Sequence, residues 1–415
     1  MTSRVPSIAA AVLTLVAPVL AFPALAGSSG LGAVGVLAAV AMICAIGLVR
    51  NVGRLPLYVA VLAVAAIFSA LDVAEQPETI NHFAGLALGL LAMGTVGVWC
   101  RTRERLVCAV LAFVVFGAAA AAIGFRSVLP VHTAKTMFGK PTAPVSAPAP
   151  LPIGRLHPQR SVNRNALAAL AIMVVPVAVA LAGSPLVGSS VRIPLQVAGV
   201  LSALGTIAVV VVMQSRSVWL AAAGMVWLMA RRFVKPAVWW ATAIAVFVLV
   251  PVVVYTLWGD HPRAAEPMGS LQTRIAIWQQ ALEALRTSPW TGIGFDYFRH
   301  SGYSPVLVYP DIIVGRPHAH NVFLQTALDV GLIGLAAYMA VTVFVLRRAY
   351  DLARLNGGDS WVRAVGVAAG LSVFSVQVFG LLDAVALGAK VGIFQWLACG
   401  LVLAAWRLQT SFEQT

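Results

Sequence analysis

Charged side chains are scarce in this chain: Asp, Glu, Lys and Arg make up 10% of 415 residues, where an ordinary soluble domain carries roughly a quarter. With 60% hydrophobic residues beside it, that scarcity excludes a water-soluble globule. Cysteine is rare too. Cys44, Cys100, Cys108 and Cys399 lie within or beside apolar runs and form no C-x-x-C pair, which argues against a disulfide framework and a thiolate metal site. D-x-D and H-E-x-x-H motifs are missing, so no metal or other cofactor is expected. Acids are nearly missing from the apolar stretches, where Asp329 and Asp383 stand alone. Proton-coupled carriers line their path with such groups, so this pattern disfavours one.

What the chain does hold is apolar runs near the 20 residues a spanning helix needs. Twelve are present, at 8–26, 31–49, 55–71, 83–99, 106–123, 166–182, 193–213, 218–230, 237–258, 322–346, 364–387 and 391–406. The expected fold class is an all-α, polytopic integral membrane protein with about twelve transmembrane helices. Its divisions are helices 1 to 9 over 1–258, a large outer loop over 259–320, and helices 10 to 12 over 321–415. Ala24-Leu25-Ala26 after the first run resembles a signal-peptide cleavage site. More spans follow at once, so an uncleaved first helix is expected.

Lys and Arg number 28 against 14 acids, a net +14. On alternate short loops stand Arg50 and Arg54, then Arg101, Arg103 and Arg105, then Arg192, then Arg231, Arg232 and Lys235, then Arg347, Arg348, Arg354 and Arg363. Positive loops stay cytoplasmic. That side carries fifteen basic residues and four acids, a net +11, which leaves +3 outside. The excess is an orientation signal, and nucleic acid is not needed as a partner.

Two long segments then face outward. The first, 124–165, holds the run PTAPVSAPAPLPIGRLHP from Pro141, which should be extended and without a core of its own. The second, 259–320, contains an amphipathic helix over 270–285, capped by Ser270, with Ile275, Ile277, Trp278, Ala281, Leu282 and Leu285 largely on one face. It should lie along the outer surface. All seven histidines fall on or beside this face, and His318 with His320 stands where the loop enters a span beside Arg316 and Asn321. Histidine is the commonest general base. The eighth span, 218–230, covers only about 20 Å of a core roughly 30 Å thick. With Arg231 at the cytoplasmic boundary, Arg216 is drawn below the outer surface, and a sunken arginine needs an anion. Without a metal, arginines must neutralise a phosphate; Arg126, Arg164 and Arg316 are further candidates, with Trp278 beside them as a substrate contact.

Three stretches are similar to the pattern of the O-antigen ligase and polymerase superfamily: NRNALAALAIMVVP from Asn163, RIAIWQQALEALRTSPWTGIGFDYF from Arg274, and HAHNVFLQTALDVGLIGL from His318. The resemblance covers most of the chain in architecture and about a seventh in motif. His320, followed by Asn321, Leu324, Gly331 and Gly334, resembles the ligase signature in which that histidine is essential. The resemblance implies a glycosyltransferase-C-like membrane enzyme of the Gram-negative inner membrane, active at the periplasmic face without metal or nucleotide. It implies transfer of O-antigen polysaccharide from undecaprenyl diphosphate, the donor, to the lipid A core oligosaccharide, the acceptor. It also implies His320 as base, with Arg216 and Arg274 handling the diphosphate, and inversion at the anomeric carbon. Asn321 is expected to orient His320, with His318 a reserve base. O-antigen polymerases and protein-glycosylating ligases share these blocks. Nothing resembles an additional protein-acceptor domain, and a lipid-linked sugar flippase would not need His320.

Overall fold

A computed structural model describes residues 31–72, 77–136, 163–183, 189–213, 215–231, 233–244, 248, 249, 252, 271–304, 307–309, 312–315, 318–385 and 387–412. In chain order the helices are α1 (Leu31–Leu48), α2 (Leu55–Asp72), α3 (Pro77–Trp99), α4 (Arg103–Thr136), α5 (Arg164–Ala182), α6 (Ser189–Met213), α7 (Arg216–Ala230) and α8 (Pro236–Ile244). Then come α9 (Leu271–Thr287), α10 (Tyr297–His300), the strands β1 (Leu307–Tyr309) and β2 (Ile312–Gly315), and α11 (Val322–Arg354), α12 (Ser360–Phe379) and α13 (Gly392–Phe412).

Among the described residues, six helices are long and apolar enough to cross a bilayer: Thr79–Trp99, Arg103–Arg126, Arg164–Ala182, Arg192–Met213, Val322–Arg354 and Ser360–Phe379. Leu55–Ala70 and Arg216–Ala230 are shorter apolar helices. The chain is thus a helical, polytopic membrane protein. Of the twelve expected spans, 8–26 and much of 237–258 lie outside the described residues, as do the Pro-rich run and Ser270. One exception to an all-helical chain is the antiparallel hairpin β1–β2 between α10 and α11.

Span 364–387 needs correction. α12 stops at Phe379 because Gly380 turns its N–H back to Val376 O (2.8 Å) and gives its carbonyl to the Val322 N–H (2.7 Å). Asp383 therefore sits in a turn between α12 and α13, not in a span.

The core is built around α12 and α13. α13 packs on α3 and α12, α12 on α5 and α7, and α11 on α2 and α12. At its heart Tyr338 of α11 exchanges hydrogen bonds with Gln377 of α12 and accepts one from Gln395 Nε2 of α13 (2.9 Å). Uncharged polar groups thus join three helices where no water can satisfy them.

The two ends of this bundle differ. Near Trp361 the Arg103 side chain pairs with Asp359 (3.1 Å), the Trp361 indole donates to Ala180 O (3.0 Å) and Arg407 donates to Gly97 O (2.8 Å). These are the arginine-rich loops. The opposite ends of α5, α11 and α12 carry Asn165, Asn321 and Gly380.

A second, smaller core lies at that other end. Ile277, Ala281 and Ala284 of α9 recur at helical spacing and bury against Ile293, Phe298, Ala319 and Leu328, with Leu285 packed beside them. The amphipathic helix buries one face and leaves the other exposed. It roofs the segment that follows it, and Ile275 and Leu282 point outward instead.

Candidate active site

The roofed segment is stitched into α11 where that helix breaks. Gly331 takes φ 72, ψ 177 in mid-helix, a region essentially reserved for glycine. The break frees helical groups to bond sideways: Leu332 N–H donates to Pro289 O (2.8 Å), and Ile293 N–H to Leu328 O (2.7 Å). Gly292, at φ 78, faces Gly331 backbone to backbone. Beyond it Asp296 opens α10 at φ 53, and its carboxylate lies 3.6 Å from Arg299.

The histidine loop is fixed group by group. The Trp278 indole donates to Ala319 O (2.9 Å), and Gln325 Oε1 accepts the Ala319 N–H (2.9 Å). His320 N–H donates to His318 Nδ1 (3.1 Å), and His320 itself adopts φ 46. Asn321 Oδ1 accepts from Phe323 and Leu324 N–H (both 3.0 Å), capping α11, while its Nδ2 donates to Leu381 O (3.1 Å).

Asp383 is the group that orients His320. Its Oδ1 lies 3.1 Å from His320 Nδ1 and 3.5 Å from His318 Nε2. Its Oδ2 accepts from Asn165 Nδ2, and Oδ1 also accepts the Ala384 N–H (2.8 Å). Burial works against ionising this carboxyl, yet the His320 hydrogen bond and the neighbouring imidazoles more than offset it and hold the pKa down to about 2. Since the carboxylate can only accept, His320 carries its neutral-state proton on Nδ1 and keeps a lone pair on Nε2. That Nε2 is buried and has no hydrogen-bond partner among the described residues. The result is a carboxylate-imidazole pair with its basic nitrogen unspent.

His318 is a poor base. Burial, then the nearby His320, depresses its pKa to about 3, with Arg299 and Arg274 adding to the effect against Asp383. The donor atoms of His318, His320 and Asp383 lie within 4.8 Å of one another, a spacing a metal ion could bridge. The hydrogen bonds disfavour one. His318 Nδ1 already accepts the His320 N–H, so its ring proton sits on Nε2, facing Asp383, where it offers a metal no lone pair.

Arg274 of α9 is partly buried beside this cluster, and its Nε finds no hydrogen-bond partner. Burial lowers its pKa, Asp383 opposes this, and Arg216 adds to it. The two arginines are therefore close enough to repel. Arg216 is the first residue of α7 and exposed, so it also meets the positive end of a helix dipole. Two cations at a helix N-terminus, one of them half-desolvated, make a place for an anion.

Of the candidates from sequence, His318, His320, Arg274 and Arg216 come together. Arg164 is half-buried at the start of α5, beside the Asn165 that bonds Asp383. Arg126 is exposed on α4, and among the described residues no hydrogen bond or ion pair ties it to the cluster. Arg316 lies outside the described residues. Trp278 and Asn321 have structural duties: one holds Ala319 O, the other caps α11. Asn321 does not orient the His320 ring, because its acceptor is spent on the helix N-terminus.

Asp383, Asn165, Arg299, Gln325 and Asp329 were not singled out from sequence as site residues. Asp383 did carry a signal, an acid isolated in an apolar stretch, the kind that is costly unless used.

The region holding most of this cluster has relatives. Residues 200–339 match the O-antigen ligase family. The matched stretch contains Arg216, Arg274, Arg299, His318 and His320, while Asn165 and Asp383 reach the site from either side of it. The chain is also similar to the exopolysaccharide production protein ExoQ of Rhizobium meliloti (strain 1021), 32% identical over 78 residues. That stretch spans 18% of this chain and 18% of the relative's length.

Proposed function

We propose that this protein is a metal-independent, inverting glycosyltransferase. It moves O-antigen polysaccharide from undecaprenyl diphosphate to the lipid A core oligosaccharide at the periplasmic face of a Gram-negative inner membrane. The observation that carries this reading is the buried His320 Nε2, which has no hydrogen-bond partner among the described residues while Nδ1 is held by Asp383, with Arg274 and Arg216 close enough to each other to interact beside it. The arginine-rich loops lie at the end of the bundle opposite the site, which supports a periplasmic orientation.

The chemistry follows from those groups. His320 Nε2 takes the proton of an acceptor hydroxyl, the oxygen forms a bond to the donor's anomeric carbon, and the anomeric C–O bond breaks with its electron pair leaving on the diphosphate. Asp383 stabilises the imidazolium as it forms. Arg274 and Arg216 take the leaving charge through hydrogen bonds that strengthen as it develops, the larger electrostatic contribution. A positioned base contributes about 10² to 10⁴ in rate.

A second reading keeps the donor and changes the acceptor. In that reading the enzyme is a polymerase that extends a lipid-linked glycan, and a relative named for exopolysaccharide production is compatible with it. An in vitro reaction with purified protein, lipid-linked O-antigen and rough lipopolysaccharide separates the two. Glycan joined to lipopolysaccharide supports the ligase; longer lipid-linked chains formed without lipopolysaccharide support the polymerase. His320→Ala should abolish transfer while donor binding persists, and transfer at the normal rate would remove the base.

A further inference from the structure

Between His320 and the roofed segment runs a buried chain of hydrogen bonds that the transfer chemistry does not use. Gln325 Oε1 accepts the Ala319 N–H (2.9 Å), and Gln325 Nε2 donates to Asp329 Oδ1 (2.8 Å). Asp329 Oδ1 also accepts the Asp296 N–H (3.1 Å). Both side chains are fully buried, and they stand four residues apart on the same face of α11, just before its break at Gly331. The chain therefore joins the residue before His320 to the residue that opens α10, and α10 carries Arg299, whose charge acts on His318.

His320 needs such support. Its φ of 46 is a conformation an L-residue with a bulky side chain seldom keeps unless its surroundings impose it. Its own N–H is held by His318 Nδ1, and the N–H before it by Gln325. Releasing the second would let the peptide rotate and the ring leave Asp383.

We propose that Gln325 and Asp329 are positioning residues, which lock the His320 loop to the α10 turn and so keep the imidazole aimed for proton transfer. This rests on His320 being the base. It requires Asp329 as a hydrogen-bond acceptor at Oδ1, not as a charge, since both groups that face Oδ1 are neutral donors. Asp329 Oδ2 has no hydrogen-bond partner among the described residues, so no donor there opposes an amide nitrogen, which has nearly the same size as the oxygen.

The test uses the full-length protein with lipid-linked glycan donor and oligosaccharide acceptor, comparing Gln325→Met, Asp329→Ala, Asp329→Asn and His320→Ala. Gln325→Met, which keeps volume and loses both bonds, should lower kcat 10-fold to 100-fold with donor KM changed less than threefold. Asp329→Ala should do the same, and Asp329→Asn should restore turnover to within threefold of the native protein. Native kcat in a folded Gln325→Met variant overturns the proposal. So does an Asp329→Asn variant as impaired as Asp329→Ala, and this arm still decides if Gln325→Met fails to fold. Should His320→Ala retain activity, the base assignment fails first; with His320→Ala dead and Gln325→Met unimpaired, only the positioning role fails.

Discussion

Replacing Gly331 with alanine tests how far the site depends on the break in α11. A Cβ on Gly331 would stand 2.0 Å from Trp290 O, 2.3 Å from Trp290 C and 2.5 Å from Thr291 N. All three are backbone atoms, so no side-chain rotation relieves the clash and the 289–293 segment must move off α11. Holding alanine at φ 72, ψ 177 costs about 1–3 kcal/mol. The displaced segment forfeits the Leu332 to Pro289 and Ile293 to Leu328 hydrogen bonds, about 1 kcal/mol each. A total of about 3–5 kcal/mol is comparable to the lower end of whole-domain stabilities. It falls on the outer core and the α10 turn, not on the α12–α13 packing. The variant should keep its helical content, lose protection from hydrogen exchange over 289–299, and lose at least 100-fold in transfer. Gly205→Ala on α6 is the control, because a Cβ there meets nothing within 4 Å, and it should be neutral or slightly stabilising. Native exchange protection and activity in Gly331→Ala would refute the claim that this crossing sets the site.

Other outcomes follow from the cluster itself. Asp383→Asn removes the charge and can donate to Nδ1, moving the His320 proton to Nε2; kcat should fall about 10²–10⁴-fold with donor KM little changed, and an unchanged kcat would separate Asp383 from catalysis. Arg274→Lys keeps charge but not the planar fork, so affinity for undecaprenyl diphosphate should fall about tenfold; equal affinity in a direct binding assay would contradict a bidentate phosphate contact. Stability should depend on acid through His318, neutral in the fold down to about pH 3 but protonated near 6.5 when exposed. A folded pKa below the unfolded one means that its contribution is complete above about 6.5 and lost as pH falls toward 3. Asp383 repeats the trend between its ordinary value of 3.8 and about 2. The melting midpoint should therefore decline from pH 7 to pH 4 more steeply in the native protein than in His318→Gln, and parallel curves would count against a buried neutral His318.

Much of this was legible in the chain because the membrane is a strict solvent. Apolar runs of spanning length must become helices, since hydrocarbon satisfies no backbone group, and α2, α3, α5, α6, α7 and α11 begin within six residues of where hydropathy places them. His320, His318 and Arg216 were candidates for a related reason, since a polar group beside an apolar stretch needs a purpose, and Arg274 came only from the resemblance. The end of α12 was not legible. Gly380 closes it through bonds to Val376 and to Val322, a residue 58 positions earlier, and hydropathy alone runs straight on through Leu381 and Leu382.

By itself, then, the sequence determined a polytopic helical protein and the residue types that could act on a phosphate-linked sugar. Only the tertiary structure decided which of them act together. Asn165, His320 and Asp383 meet from α5, the α11 entry and the turn after α12, a closure of distant segments set by helix packing and by the glycine-only break at Gly331. It also reassigned Asn321 and Trp278, because a cap and an indole hydrogen bond are satisfied by backbone groups that no side-chain pattern displays.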